Sequence, residues 1–87
     1  MIHSEIIDWH KKTFPTSTSK SMKSKLLEEA AELMTAGISE EGEEMADVAI
    51  VLIAIAGRNG WDLQKEIDKK MAINIERAKT GRWEDAK

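Results

Sequence analysis

Five carboxylates stand at spacings that let them act together. Glu28-Glu29-x-x-Glu32 is followed, twelve residues after Glu32, by Glu44-x-x-Asp47. Side chains three or four residues apart share a helix face. Glu29 with Glu32, Glu28 with Glu32, and Glu44 with Asp47 can therefore each aim two carboxylates at one point. Asp47 is the only residue between Met45 and Ala56 that is not apolar. A helix that is apolar all round is buried all round, and a carboxylate inside it has to be paired or to hold a metal.

Acidic pairs facing one another on two helices define an oxygen-only ligand set. The chain has no Cys, so a thiolate site is ruled out, and the cation that suits such a set is hard: Mg²⁺, with Mn²⁺ as the alternative. A buried ion pair of Asp47 with Lys or Arg is the competing structural explanation. A redox di-iron site fits worse. It would use Glu-x-x-His pairs, and the positions of those histidines hold Glu32 and Asp47, while His3 and His10 lie elsewhere. Glu40, Glu41 and Glu43 read as solvated acids at a helix start.

A second group carries the opposite charge. Lys70, Asn74 and Arg77 form one helical stripe, offering an ammonium, an amide and a guanidinium fork of the kind that binds phosphate oxygens. Lys69, Lys79 and Arg82 add to the positive field. An ordinary basic face near a helix C-terminus is the alternative. Acids for Mg²⁺ and bases for phosphate are together the two halves of a phosphoryl-transfer site.

These residues need helices to position them. Ile2, Ile6, Ile7, Trp9 and His10 suggest a short amphipathic helix, and Thr13 to Ser19, with the only proline, a loop and a helix start. Met22, Leu26, Ala30 and Leu33 recur at helical spacing, which predicts a helix over about 19–36 with Gly37 as its C-cap. Ser39 is the expected cap of a third helix ending near Arg58-Asn59-Gly60, and Asp62 that of a fourth reaching about Lys79. The tail from Thr80 to Lys87 is left unassigned. The expectation is all-α: one domain over residues 1–87, a bundle with four helices per chain. Its apolar third helix needs more cover than three short neighbours supply, which implies a homodimer or a larger assembly.

The bulk numbers agree. Eighty-seven residues make one domain with a thin stability margin. The net charge of -3 speaks against a nucleic-acid scaffold. The start lacks the basic and apolar regions of a secretion signal, and the run Met45 to Ala56 is too short to span a bilayer. A cytoplasmic protein without membrane attachment is the expectation.

The signature Glu28-Glu29-x-x-Glu32…Glu44-x-x-Asp47, the apolar run after it and Lys70-x-x-x-Asn74-x-x-Arg77 together resemble the all-α NTP pyrophosphohydrolases, the MazG-like superfamily. The likeness covers roughly Trp9 to Trp83. Trp9-His10, Phe14-Pro15 and the ending Lys-Met-Ala-Ile-Asn…Arg-Trp look most like its small phage-type dATP/dGTP diphosphohydrolases, the MazZ group. The chain departs from that pattern in two places: Ala78 to Arg82 separate Arg77 from Trp83, and Lys25 and its neighbours replace a His ahead of the acidic pair. The resemblance implies Mg²⁺-dependent cleavage between the α and β phosphates, giving a monophosphate and pyrophosphate, with a purine dNTP as substrate. It implies that Glu29, Glu32, Glu44 and Asp47 hold Mg²⁺, that Glu28 or Glu32 orients or deprotonates the attacking water, and that the protein works as a dimer or tetramer in the host cytoplasm if phage-encoded. Lys70, Asn74 and Arg77 would grip the outer phosphates. Trp9, His10 and Phe14 are the candidates for the base slot, with Trp61 and Trp83 as weaker ones and core packing as the alternative for each. A pyrimidine or modified-nucleotide triphosphatase of the same superfamily, or a non-enzymatic helical oligomerisation module, are the competing readings.

Overall fold

A computed structural model describes residues 2–81. They form four helices in chain order: α1 (Ile2–Thr13), α2 (Ser19–Thr35), α3 (Glu41–Arg58) and α4 (Leu63–Thr80). No strand occurs among the described residues. The all-α expectation holds. Arg82 and Trp83 lie outside the described residues.

Each helix end has an identifiable cause. Thr18 starts α2 with a reciprocal cap: the Ser21 N–H donates to Thr18 Oγ1 at 3.0 Å, and the Thr18 N–H donates to Ser21 Oγ at 2.9 Å. Such a pair satisfies two of the four donors a helix start leaves open. Asp62 caps α4 by accepting the Lys65 N–H at 3.1 Å. The end of α3 is a Schellman motif: Trp61 N–H returns to Ala56 O at 2.8 Å, Gly60 N–H to Gly57 O at 3.4 Å, and Gly60 takes a φ of 82°. That left-handed conformation is the reason for a glycine there.

Two expected caps are displaced by a residue. Gly37 is not a left-handed cap; α2 ends at Ala36 in extended backbone, whose N–H returns to Leu33 O. Ser39 does not cap α3. The preceding residue is Glu40, with no side-chain cap bond, and its carboxylate instead accepts the Gly37 N–H at 3.3 Å. A tight turn closed by Glu40 N–H to Gly37 O sets this register. Glu41, Glu43 and Glu44 in the first turn then face the positive end of the α3 dipole.

Packing centres on α3, against which α1, α2 and α4 all lie, while α4 touches neither α1 nor α2. The four helices therefore do not close into a bundle within one chain. The radius of gyration is 15.3 Å, against about 12 Å for a compact chain of this length. Among the described residues only Met22, Ala54 and Ala56 are buried and apolar, whereas Met45 and Leu52 of α3 and Ile67, Met71, Ile73 and Ile75 of α4 stay exposed. Contrary to its all-round apolar sequence, α3 keeps an open face in the single chain.

The approach of α1 to α3 depends on Gly57, because a Cβ there would collide with the Ile7 side chain. Alanine at Gly57 gains up to about 1 kcal/mol of helix propensity but overpacks the contact, at about 1–3 kcal/mol. Gly42, in the same helix, has nothing near its missing Cβ. Urea unfolding is expected to show Gly57→Ala destabilised and Gly42→Ala stabilised; the same sign for both contradicts the close approach.

Candidate functional site

The packing of α2 on α3 brings the two acidic segments together. Carboxylate oxygens of Glu28, Glu29 and Glu32 lie within 4.8 Å of one another, and so do those of Glu29, Glu44 and Asp47. Glu29 belongs to both groups and joins them. It is also the most buried acid of the cluster, at 5% exposure, while Asp47 stays partly exposed. The acid withdrawn most from water is thus Glu29, not Asp47 as its apolar helix suggests. The ion pair considered for Asp47 occurs at Glu29 instead.

That ion pair is made by Lys25, whose Nζ lies 3.0 Å from Glu29 Oε2 and 3.2 Å from Glu28 Oε1. Hydrogen bonds to Glu29 and then to Glu28 push the Lys25 ammonium above its ordinary pKa, so it stays charged. No Lys or Arg among the described residues pairs with Glu44 or Asp47. Glu44 Oε1 is buried and has no hydrogen-bond partner. Desolvation first, then the charges of Glu32, Asp47, Glu29 and Glu43, raise the Glu44 pKa. A buried oxygen without a donor, among like charges, calls for an explanation, and a bound cation would be one. The donor set is all oxygen and fits a hard divalent cation.

Beside these acids opens a cavity of about 620 Å³, within the range of small-molecule sites. Lys25, Glu29, Glu32 and Asp47 line one part of it, Met22, Ile50 and Val51 give it apolar wall, and Trp9, His10 and Phe14 supply an aromatic part. Trp9 meets Phe14 edge-on, with ring centres 5.8 Å apart, and the His10 and Phe14 ring centres are 5.0 Å apart. The three proposed base-binding residues are therefore one cluster on the cavity that also reaches the carboxylates.

Other expected residues are not brought there. Lys70, Asn74 and Arg77 sit on α4, away from this cavity's lining. Glu28 is exposed and does not line it, and Trp61 is exposed in the link between α3 and α4.

Sequence reasoning missed Arg58, which it used only as a turn marker. From the last turn of α3 its Nη1 donates to His10 Nδ1 at 3.0 Å, to His10 O at 3.3 Å and to Phe14 O at 2.9 Å, and its Nη2 to Ser17 O at 3.4 Å. One guanidinium thus ties the end of α1 and the following loop to α3. The signal in the sequence is a single Arg closing an apolar helix, which has no solvated face to serve. Burial, and then the Arg58 charge, lower the His10 pKa and hold its ring neutral at neutral pH.

The arrangement defines a class: an all-helical protein with a two-helix carboxylate cluster beside an aromatic-lined cavity. No family model and no solved structure matches the sequence. A curated protein named dATP/dGTP diphosphohydrolase, from Salmonella phage PMBT28, is 45% identical over 72 residues, which are 83% of this chain and 24% of that protein. The chain thus spans about a quarter of that relative's length. Wherever it begins, a stretch of 72 in a chain of 87 takes in residues 16–72, and with them all five carboxylates. The chain is related to a phage-type dATP/dGTP diphosphohydrolase along this stretch, and its all-helical fold fits a small MazG-like protein. No helix among the described residues is long and apolar enough to cross a membrane.

The raised Glu44 pKa has a definite linkage sign. The unfolded chain loses this proton first, so Glu44 favours folding below its ordinary pKa, and that contribution disappears as the pH rises through the raised value. In chelator-treated protein, Glu44→Gln is expected to raise the melting temperature at neutral pH and to flatten the fall in stability above the ordinary Glu pKa. A neutral or destabilising effect at pH 7 contradicts the crowding of Glu44.

Proposed function

We propose that the protein hydrolyses a (deoxy)nucleoside triphosphate between its α and β phosphates, releasing the monophosphate and pyrophosphate. The observation that carries this reading is a single cavity with aromatic rings in one part and facing carboxylates in another. A nucleotide has the same two-part chemistry, a flat base and a metal-binding triphosphate. The name of the phage relative favours purine deoxynucleotides and supports assignment as a hydrolase.

Glu29, Glu32, Glu44 and Asp47 hold Mg²⁺, or Mn²⁺ in its place. When bound, the divalent cation supplies positive charge to the triphosphate and lowers the pKa of a coordinated water. Trp9, His10 and Phe14 hold the base and keep the nucleotide oriented. Both candidate bases for the attacking water are exposed, but Glu32 lines the cavity, whereas Glu28 does not and is bound by Lys25. We therefore assign the proton to Glu32. Water oxygen bonds to the α phosphorus, the bond from that phosphorus to the α,β-bridging oxygen breaks, and pyrophosphate leaves with the electron pair. Lys70, Asn74 and Arg77 grip the outer phosphates from a homodimer or homotetramer that covers the open faces of α3 and α4. The substrate pool places this activity in the cytoplasm, that of the host if phage-encoded.

Pyrophosphate release from the four dNTPs, their ribo forms, dUTP and dITP, with and without Mg²⁺, measures the activity and its base preference together. The expected result is Mg²⁺-dependent turnover, fastest with dATP or dGTP. Preference for a pyrimidine keeps the chemistry but moves the substrate within the superfamily. Glu44→Gln and Asp47→Asn should each lower kcat by about 10²–10³-fold, the order seen when one group stabilising transition-state charge is lost, while far-UV circular dichroism stays helical. Full activity in both variants would falsify the metal assignment.

A further inference from the structure

We infer that Arg58 is a positioning residue that sets the hydrogen-bonding character of the nucleotide-base pocket, by fixing His10 as a donor through Nε2–H. The inference rests on the nucleotide reading for its substrate but not for its geometry. A guanidinium has donors only, so its contact with His10 Nδ1 at 3.0 Å makes that nitrogen the acceptor. The proton of the neutral ring then belongs on Nε2, because the bond made by one ring nitrogen decides the state of the other. His10 is 8% exposed and lines the cavity. The same guanidinium holds the backbone carbonyls of His10, Phe14 and Ser17, so ring position and tautomer are set together.

The chemical consequence is selectivity. A pocket of Trp9 and Phe14 alone presents ring faces and edges, which suit any base. With Nδ1 engaged by Arg58, Nε2–H is the ring donor left to the cavity that His10 lines; such a donor favours a base that offers it an acceptor, and a ring nitrogen of a purine is the class of group that answers it. Arg58 reads the base only through His10, and it lies outside the carboxylate cluster.

Two measurements test this separately. Long-range ¹⁵N–¹H correlation spectra of the ligand-free protein report the His10 tautomer. The expected result is Nε2–H in the wild type and a mixture of tautomers in Arg58→Gln. Nδ1–H in the wild type, or no change in Arg58→Gln, overturns the inference whatever the enzyme's activity. The second measurement uses 1-deaza, 3-deaza and 7-deaza dATP, each lacking one ring acceptor. At least one should raise KM about tenfold in the wild type, the worth of roughly one hydrogen bond, and have little effect in Arg58→Gln. Arg58→Gln itself should raise KM for the parent nucleotide more than it lowers kcat, and Arg58→Lys, which keeps a cationic donor, should recover part of the loss. Deaza penalties that are absent in the wild type, or unchanged in Arg58→Gln, overturn it. If no nucleotide is hydrolysed, the parent reading fails, and the spectra still decide the role of Arg58.

Discussion

The structure depends on a crowding of like charge. α2 and α3 pack so that Glu29, Glu44 and Asp47 bring oxygens within 4.8 Å of one another, while Lys25 neutralises only the Glu28–Glu29 side. Glu44 Oε1 is left buried without a donor. An arrangement of this kind opposes folding, since burial disfavours the charged carboxylate and its neighbours repel it. The fold therefore carries a local cost, one that the divalent cation of the proposed function would offset. Removing that cost also removes the site, a conflict between stability and activity that is common where function requires an unfavourable constellation.

The rest of the chain is arranged around this hairpin. α1 and its loop bring the aromatic cluster against α3, and two devices hold them there: the close approach permitted by Gly57 and the four hydrogen bonds of Arg58. With Met22, Ala54 and Ala56 as the buried apolar residues among those described, the described helices share a small core. α4 adds little to it, touching α3 alone. Its exposed apolar residues and its basic stripe lie on one helix outside the cavity's lining, which is why the proposed phosphate grip would need a second copy of the chain.

Much of this was legible in the sequence. Helical spacing, with cap and turn residues for α3 and α4, located all four helices, and the acidic signature picked out residues that the fold does cluster. The aromatic residues ahead of α2 do share a cavity with the carboxylates. The failures have physical reasons. Periodicity reports which side of a helix is apolar but not what covers it, so Asp47 looked more buried than it is, and Glu29, between Leu26 and Leu33 at the edge of the apolar stripe, looked less. The caps at Gly37 and Ser39 were assigned from residue preference, whereas a turn between Gly37 and Glu40 set the register. Arg58 contacts residues more than forty positions away; its place at the end of an apolar helix marks it out, but no local pattern identifies partners that are mostly backbone carbonyls.

The central claim is that the carboxylate crowding is a divalent-cation site. Thermal unfolding of the chelator-treated protein, titrated with MgCl₂ and in parallel with NaCl at matched ionic strength, tests it most directly. A cation that binds only the folded state raises the melting temperature by mass action, whereas screening acts equally in both salts. The account predicts a saturable rise specific to Mg²⁺, and to Mn²⁺. Superimposable MgCl₂ and NaCl curves would contradict it.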